Sequence, residues 1–178
     1  MNCSTILKTA VFGSLVLMGS AAIAEKDEVT SEIIGAEGDA IGSVKLQQGT
    51  GGVLMTVELD KDALSPGWHG IHFHAHGTCE DVGEFKLSGG HVGKKPGAHG
   101  LLNPEGPEFG DLPNIFVPEG SDAKAQFFAA GLTLATGQDG EALLDDDGSA
   151  LVIHAQEDDH LTQPIGGAGG RVACAVLK

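Results

Sequence analysis

The sequence predicts an all-β domain, a sandwich or barrel of short strands joined by loops. Three observations predict it. Glycine makes up 28 of the 178 residues, and glycine weakens helices while serving tight turns. The apolar runs have the length of strands, several alternate with a period of two, and no long helical pattern stands out. Two stretches, 78–121 and 155–170, carry little periodicity, the first dense in Gly, Pro, Asp and Glu, the second ending in a glycine run broken by Ala168; loops of that length are commonly functional.

The first 24 residues differ in kind from the rest. They hold one charge, Lys8, then an apolar run from Ala10 to Met18, then small residues ending Ala22-Ile23-Ala24. That order describes a secretory signal peptide, and the uncharged run is short for a membrane span. Cleavage after Ala24 removes 24 of the 178 residues and leaves 154, and loss of Lys8 takes the net charge from −15 to −16. The residue directly after the cleavage site is Glu25 and not cysteine, so no lipid anchor is indicated there. The expected compartment is the periplasm.

Residues 25–178 read as one β domain without internal repeats. Segment 43–47 alternates. Segment 53–59 begins as an apolar run and becomes alternating. Segment 70–74 alternates cleanly, while 150–153 and 172–177 are apolar runs of strand length. Segment 125–134 fits a strand or a helix, and periodicity does not separate the two.

Charge excludes two classes of partner. Ten Lys and Arg against 25 Asp and Glu leave no basic face for nucleic acid and make an anionic membrane surface an unsuitable partner. Of the three cysteines Cys3 departs with the signal peptide, and two cysteines in an exported chain, Cys79 and Cys174, most simply form one disulfide.

The chemistry lies in eight histidines: His69, His72, His74, His76, His91, His99, His154 and His160. Side chains at i and i+2 of a strand share a face. His72 and His74 therefore point the same way and Ile71 and Phe73 the other. Two imidazoles on one rigid face form half of a nitrogen site suited to copper or zinc.

Several pieces then match a known family in order and spacing. They are Pro66-Gly67-Trp68-His69-Gly70-Ile71-His72-Phe73-His74 followed by Cys79, then Gly89-Gly90-His91, Gly110-Asp111-Leu112-Pro113, Ile153-His154 and Gly169-Gly170-Arg171-Val172-Ala173-Cys174. From about residue 40 to 178 the chain resembles the bacterial exported copper-zinc superoxide dismutases. The resemblance implies an immunoglobulin-like Greek-key sandwich or barrel with two long functional loops. It implies copper held by His72, His74, His91 and His154, and zinc held by His91, His99 and Asp111, with His91 bridging the metals and exchanging a proton during turnover. It further implies that Asp158 ties a copper ligand to a zinc ligand, that Arg171 attracts the superoxide anion beside the open copper face, and that Cys79 and Cys174 are the family disulfide.

One position departs from the pattern. Where the family has a third zinc histidine this chain has Glu108. A carboxylate can ligate zinc, but a turn outward to solvent beside Phe109 is the placement expected here, with weaker zinc binding. His69 is expected to make a structural hydrogen bond, His76 to lie off the site and His160 to be exposed. Trp68 is read as either core or a subunit contact, and a homodimer is left open. The implied activity is conversion of superoxide to O₂ and H₂O₂, protecting the cell envelope. The alternative is a non-catalytic periplasmic copper/zinc-binding protein, and a carrier has no use for Arg171 beside its metal.

Overall fold

Pairing between distant segments builds one curled antiparallel sheet around the apolar faces of its strands. The computed structural model describes Met1, residues 27–93 and residues 98–178. Met1 apart, the signal peptide expected over 1–24 lies outside the described residues. Among these residues no helix is long and apolar enough to cross a membrane.

The strands are β1 (Glu28–Gly35), β2 (Ala40–Gly49), β3 (Gly52–Leu59), β4 (Gly67–His69), β5 (Ile71–His74), β6 (Ile115–Val117), β7 (Ala123–Ala130), β8 (Leu132–Ala135), β9 (Glu141–Leu144), β10 (Ser149–His154) and β11 (Arg171–Leu177). Seven of them form the sheet in the order β5-β10-β11-β1-β2-β3-β7, with β4–β6 and the parallel pair β8–β9 beside it. Strand β11 lies beside β1, which is followed by its hairpin neighbours β2 and β3, a spatial order of the Greek-key kind. The all-β expectation therefore holds.

The alternation read in the sequence sets the core. Val44 and Leu46 of β2 face Val57 and Met55 of β3 across the ladder, and all four are buried. Residues 125–134 resolve into two strands broken at Gly131, whose φ of +77° suits glycine. Strand β7 pairs with β3 over eight residues, a long-range ladder that local periodicity does not report. Strands β1, β4, β6 and β9 are not among the expected ones. Strand β1 carries Glu28, Thr30, Ser31 and Glu32 beside its buried Val29 and Ile33, which hides its strand character.

Strand β5 lies at an edge of the sheet, paired on one side with β10. The long loop after it covers the other side: Phe73 N–H donates to Gly110 O at 2.9 Å, Val92 N–H to Phe73 O at 2.9 Å and Ala75 N–H to Gly90 O at 2.8 Å. Gly110 must be glycine for this approach, because a Cβ there would lie 2.3 Å from the Phe73 carbonyl oxygen. The bare edge is satisfied, and loop and strand become one frame. Phe73 and Ile71 are fully buried in the main core. Burying Phe73 contributes about 1.5–3 kcal/mol and sets which way its neighbours His72 and His74 face.

Cys79 and Cys174 form the expected disulfide, with Cα atoms 5.9 Å apart and a sequence separation of 95. A loop of that size is worth about 4–5 kcal/mol in the chain-entropy model. The bond packs with Phe85, Ala150 and Val152 in a second small core and fixes the start of the long loop to β11.

Candidate metal centre

Three parts of the chain converge on one buried cluster. His72 and His74 come from β5. His154 ends β10, where the register with β11 shifts and sets it opposite Arg171. His91, His99, Glu108 and Asp111 come from the long loop. One donor atom from each of His72, His74, His91 and His154 lies within 4.8 Å of the others, and all four residues are buried.

Hydrogen bonds decide which ring nitrogen is offered. His72 Nε2 lies 2.8 Å from Asp158 Oδ2, His74 Nδ1 3.0 Å from Gly89 O and His154 Nδ1 3.2 Å from Gly169 O. His91 Nδ1 lies 2.9 Å from Asp111 Oδ1. An acceptor oxygen fixes the hydrogen on that nitrogen, so the opposite nitrogen presents a lone pair. Those opposite atoms, His72 Nδ1, His74 Nε2, His91 Nε2 and His154 Nε2, are buried without a hydrogen-bond partner. Buried polar atoms are rarely left unpaired, and four lone pairs gathered together fit a metal that takes nitrogen ligands, copper above all.

A second group adjoins the first through His91. His99 Nδ1 and His91 Nδ1 each lie 2.9 Å from Asp111 Oδ1. The other carboxylate oxygen, Asp111 Oδ2, accepts from Gly100 N–H at 2.8 Å and Glu108 N–H at 2.9 Å, which turns Oδ1 inward. Two imidazoles and a carboxylate so arranged fit zinc. Asp158 links the two groups: Oδ2 meets His72 and Oδ1 lies 3.2 Å from His99 Nε2. Such partners fix ring orientation.

The protonation states follow from these contacts. Burial lowers His72 to about 4 and His154 to about 3, and drives His74 well below its ordinary value. These three copper-side rings are thus neutral at pH 7 and meet little competition from protons. His99 is buried too, but its bonds to Asp111 and Asp158 outweigh that and raise it to about 10. His91 is raised as well: burial opposes the charge, and the bonds to Asp111 and Glu108 overcome it. Asp111 and Asp158 lie far below the carboxylate range, because their imidazole partners outweigh burial.

Glu108 corrects an expectation. It is not turned to solvent; it is 4% exposed, with Oε2 2.9 Å from His91 Nδ1. The neighbouring side chain, Phe109, takes the outward position at 44% exposure, resting over Gly93 and Gly131. His91 draws the carboxylate in by a charge-assisted bond, a partner invisible to local sequence. His160 is a second correction. It is largely buried, with its backbone N–H donating to Asp158 Oδ1 at 2.7 Å, and Nε2 lies 3.3 Å from Asn114 Nδ2. His69 makes its structural bonds, to His154 O at 2.7 Å and Ser65 O at 2.8 Å. His76 pairs with Asp147 at the surface, off the cluster. Trp68 is not core; half exposed, it stacks edge-on with Phe116 at 5.1 Å.

Arg171 and His154 line a cavity of about 370 Å³ with Lys86 and Gly169. The guanidinium is held by three acceptors: Nη1 donates to Phe85 O at 2.6 Å and Ser88 Oγ at 2.9 Å, and Nη2 to Gly89 O at 2.7 Å. Sequence reasoning missed Ser88 and also Asn114, which exchanges bonds with the Asp158 backbone. Ser88 lies directly before Gly89-Gly90-His91, but a serine in a loop carries no signal of its partner. Gly166 opens the glycine run that ends the second long loop. A Cβ there would fall 1.6 Å from Asp158 Oδ1, and its φ is +61°. Gly166→Ala should therefore displace Asp158 and loosen His72 and His99 together. We expect at least a severalfold faster loss of metal to a chelator, with the disulfide intact; unchanged release would refute the close packing of Gly166 on Asp158.

Comparison with known proteins agrees with this geometry. Residues 40–177 match the family model described as copper/zinc superoxide dismutase. The Superoxide dismutase [Cu-Zn] of Caulobacter vibrioides is 45% identical over 150 residues, 84% of this chain and 84% of that protein. Superoxide dismutase [Cu-Zn] 2 of Aquifex aeolicus is 36% identical over 173 residues, 97% of this chain and 98% of that protein. The crystal structure of a SOD-like protein from Bacillus subtilis superposes with a TM-score of 0.77 at 32% identity, covering 84% of this chain and 97% of that one.

Proposed function

The chain belongs to the copper/zinc superoxide dismutase family, and from that premise we propose that it converts superoxide to O₂ and H₂O₂ at the cluster just described. It is an oxidoreductase with copper and zinc as cofactors. The observation that carries the site assignment is the set of four unpartnered imidazole nitrogens beside a clamped arginine. His72, His74, His91 and His154 would hold copper through those nitrogens. His91 through Nδ1, His99 through Nδ1 and Asp111 through Oδ1 would hold zinc, with Glu108 close enough at His91 to take part.

Copper held there would supply a one-electron couple between two superoxide anions, one oxidised to O₂ and the other reduced and protonated twice to H₂O₂. The protein's residues do the rest. Arg171 draws the anion into the cavity and orients it by charge-assisted hydrogen bonds. His91 is assigned the proton at Nε2, since its other nitrogen is anchored by Asp111 and Glu108 and its basicity is raised. Asp158 keeps His72 and His99 from turning. A carrier reading has no role for an arginine held this way.

The test measures copper and zinc per chain and superoxide decay on the same samples. We expect activity to rise in proportion to copper; copper-replete protein no faster than buffer would overturn the reading. We propose export to the periplasm as a single domain of residues 25–178, supported by the N-terminal pattern and by the extent of the family match. Sequencing of the exported protein should begin at Glu25. A homodimer, if formed, would use the exposed Trp68–Phe116 face, and sedimentation of the wild type and of Trp68→Ala checks this.

A further inference from the structure

We propose that Ser88 is a positioning residue for anion capture, setting the guanidinium plane of Arg171. The proposal rests on the assignment of Arg171 to the substrate anion. Ser88 is fully buried. Its hydroxyl donates to Phe85 O at 2.7 Å and accepts from Arg171 Nη1 at 2.9 Å. The same Nη1 also reaches Phe85 O, and Nη2 reaches Gly89 O. A guanidinium has five N–H donors in a rigid fork. Three are engaged by residues 85–89, so the Nε–H and one Nη2–H remain for an anion in the cavity that Arg171 and His154 line.

Two carbonyls alone grip the fork along one edge and permit it to tilt about that edge. The hydroxyl supplies a third contact, on a nitrogen that already has a carbonyl partner, and so fixes the tilt. The segment is built to present these acceptors. Phe85 is buried in the left-handed region with φ of 50°, where a non-glycine residue is uncommon. Residues 86–88 form a single 3-10 turn, and the disulfide anchors the approach to it. The chemical class recognised remains a small, singly charged oxygen anion. Ser88 contributes nothing to charge and acts through geometry.

The experiment uses the copper-loaded protein and azide as a small anionic probe. Azide affinity is read from the visible absorption of copper in wild type, Ser88→Ala, Arg171→Lys and the double variant. Ser88→Ala is expected to weaken azide about three- to tenfold, the net scale of one ordinary hydrogen bond, with copper content unchanged. In the Arg171→Lys background the serine change should have no further effect, since the fork it orients is gone. Side-chain nitrogen NMR of the metal-free protein gives an independent readout: the Nη hydrogens of Arg171 should exchange faster in Ser88→Ala. Weakened azide in Arg171→Lys together with unchanged azide and unchanged exchange in Ser88→Ala would overturn this inference and leave the role of Arg171 standing. Unchanged azide in Arg171→Lys would remove the role of Arg171 and this inference with it. An effect of Ser88→Ala that persists in full in the double variant would mark a purely structural role and also overturn the inference.

Discussion

Arg171→Glu should keep its copper and lose about 90–99% of its activity at low salt, in line with the roughly 10–1,000-fold range over which local charge alters capture of a charged substrate. None of the four copper-side imidazoles hydrogen-bonds to Arg171, so the change removes no ligand and no direct partner of one. What changes is the sign of the charge beside His154. Arginine presents donors to an incoming anion; glutamate presents only acceptors, facing the carbonyls of Phe85 and Gly89 that it cannot satisfy. It therefore repels the substrate and loses its own tether. Arg171→Met separates the two effects, with an intermediate loss expected because it abolishes attraction without adding repulsion. The measurement is superoxide decay per copper across a salt series. Activity of Arg171→Glu within twofold of wild type at low salt would remove Arg171 from the mechanism.

Glu108→His should retain zinc markedly better than wild type, by about tenfold or more in dissociation constant, the scale on which neighbouring partners alter metal affinity. In wild type Glu108 lies inside the site and accepts from His91 Nδ1, the same atom through which His91 would meet zinc. Zinc must displace that hydrogen, and Glu108 must then choose between metal and solvent with a long, flexible side chain. Asp111 and Glu108 also place two carboxylates together, which favours a proton on His91 and sets protons against zinc. A histidine at 108 removes one anion and offers a rigid neutral donor. The test loads both metal-free proteins with excess copper and zinc, dialyses them and measures both metals. One zinc per chain in both proteins after equal dialysis would show that Glu108 is an adequate ligand and refute the expectation.

The sequence by itself determined the all-β class, the shared face of His72 and His74, the cysteine pair and the family to which the motifs belong. Each rests on a local rule: period two along a strand, a count of cysteines, a fixed spacing. It did not determine the inward turn of Glu108, the burial of His160, the clamp on Arg171 or the division of 125–134 into two strands. Those depend on partners far along the chain. Glu108 turns in because His91 offers a hydrogen, His160 because Asp158 and Asn114 surround it, and β7 is a strand because β3 pairs with it over eight residues. Periodicity reports which face a residue occupies on a regular element. In a loop nothing regular exists to report, so the direction of a side chain is set by whichever distant charge or donor the fold brings within about 3 Å, and only the tertiary structure decides that.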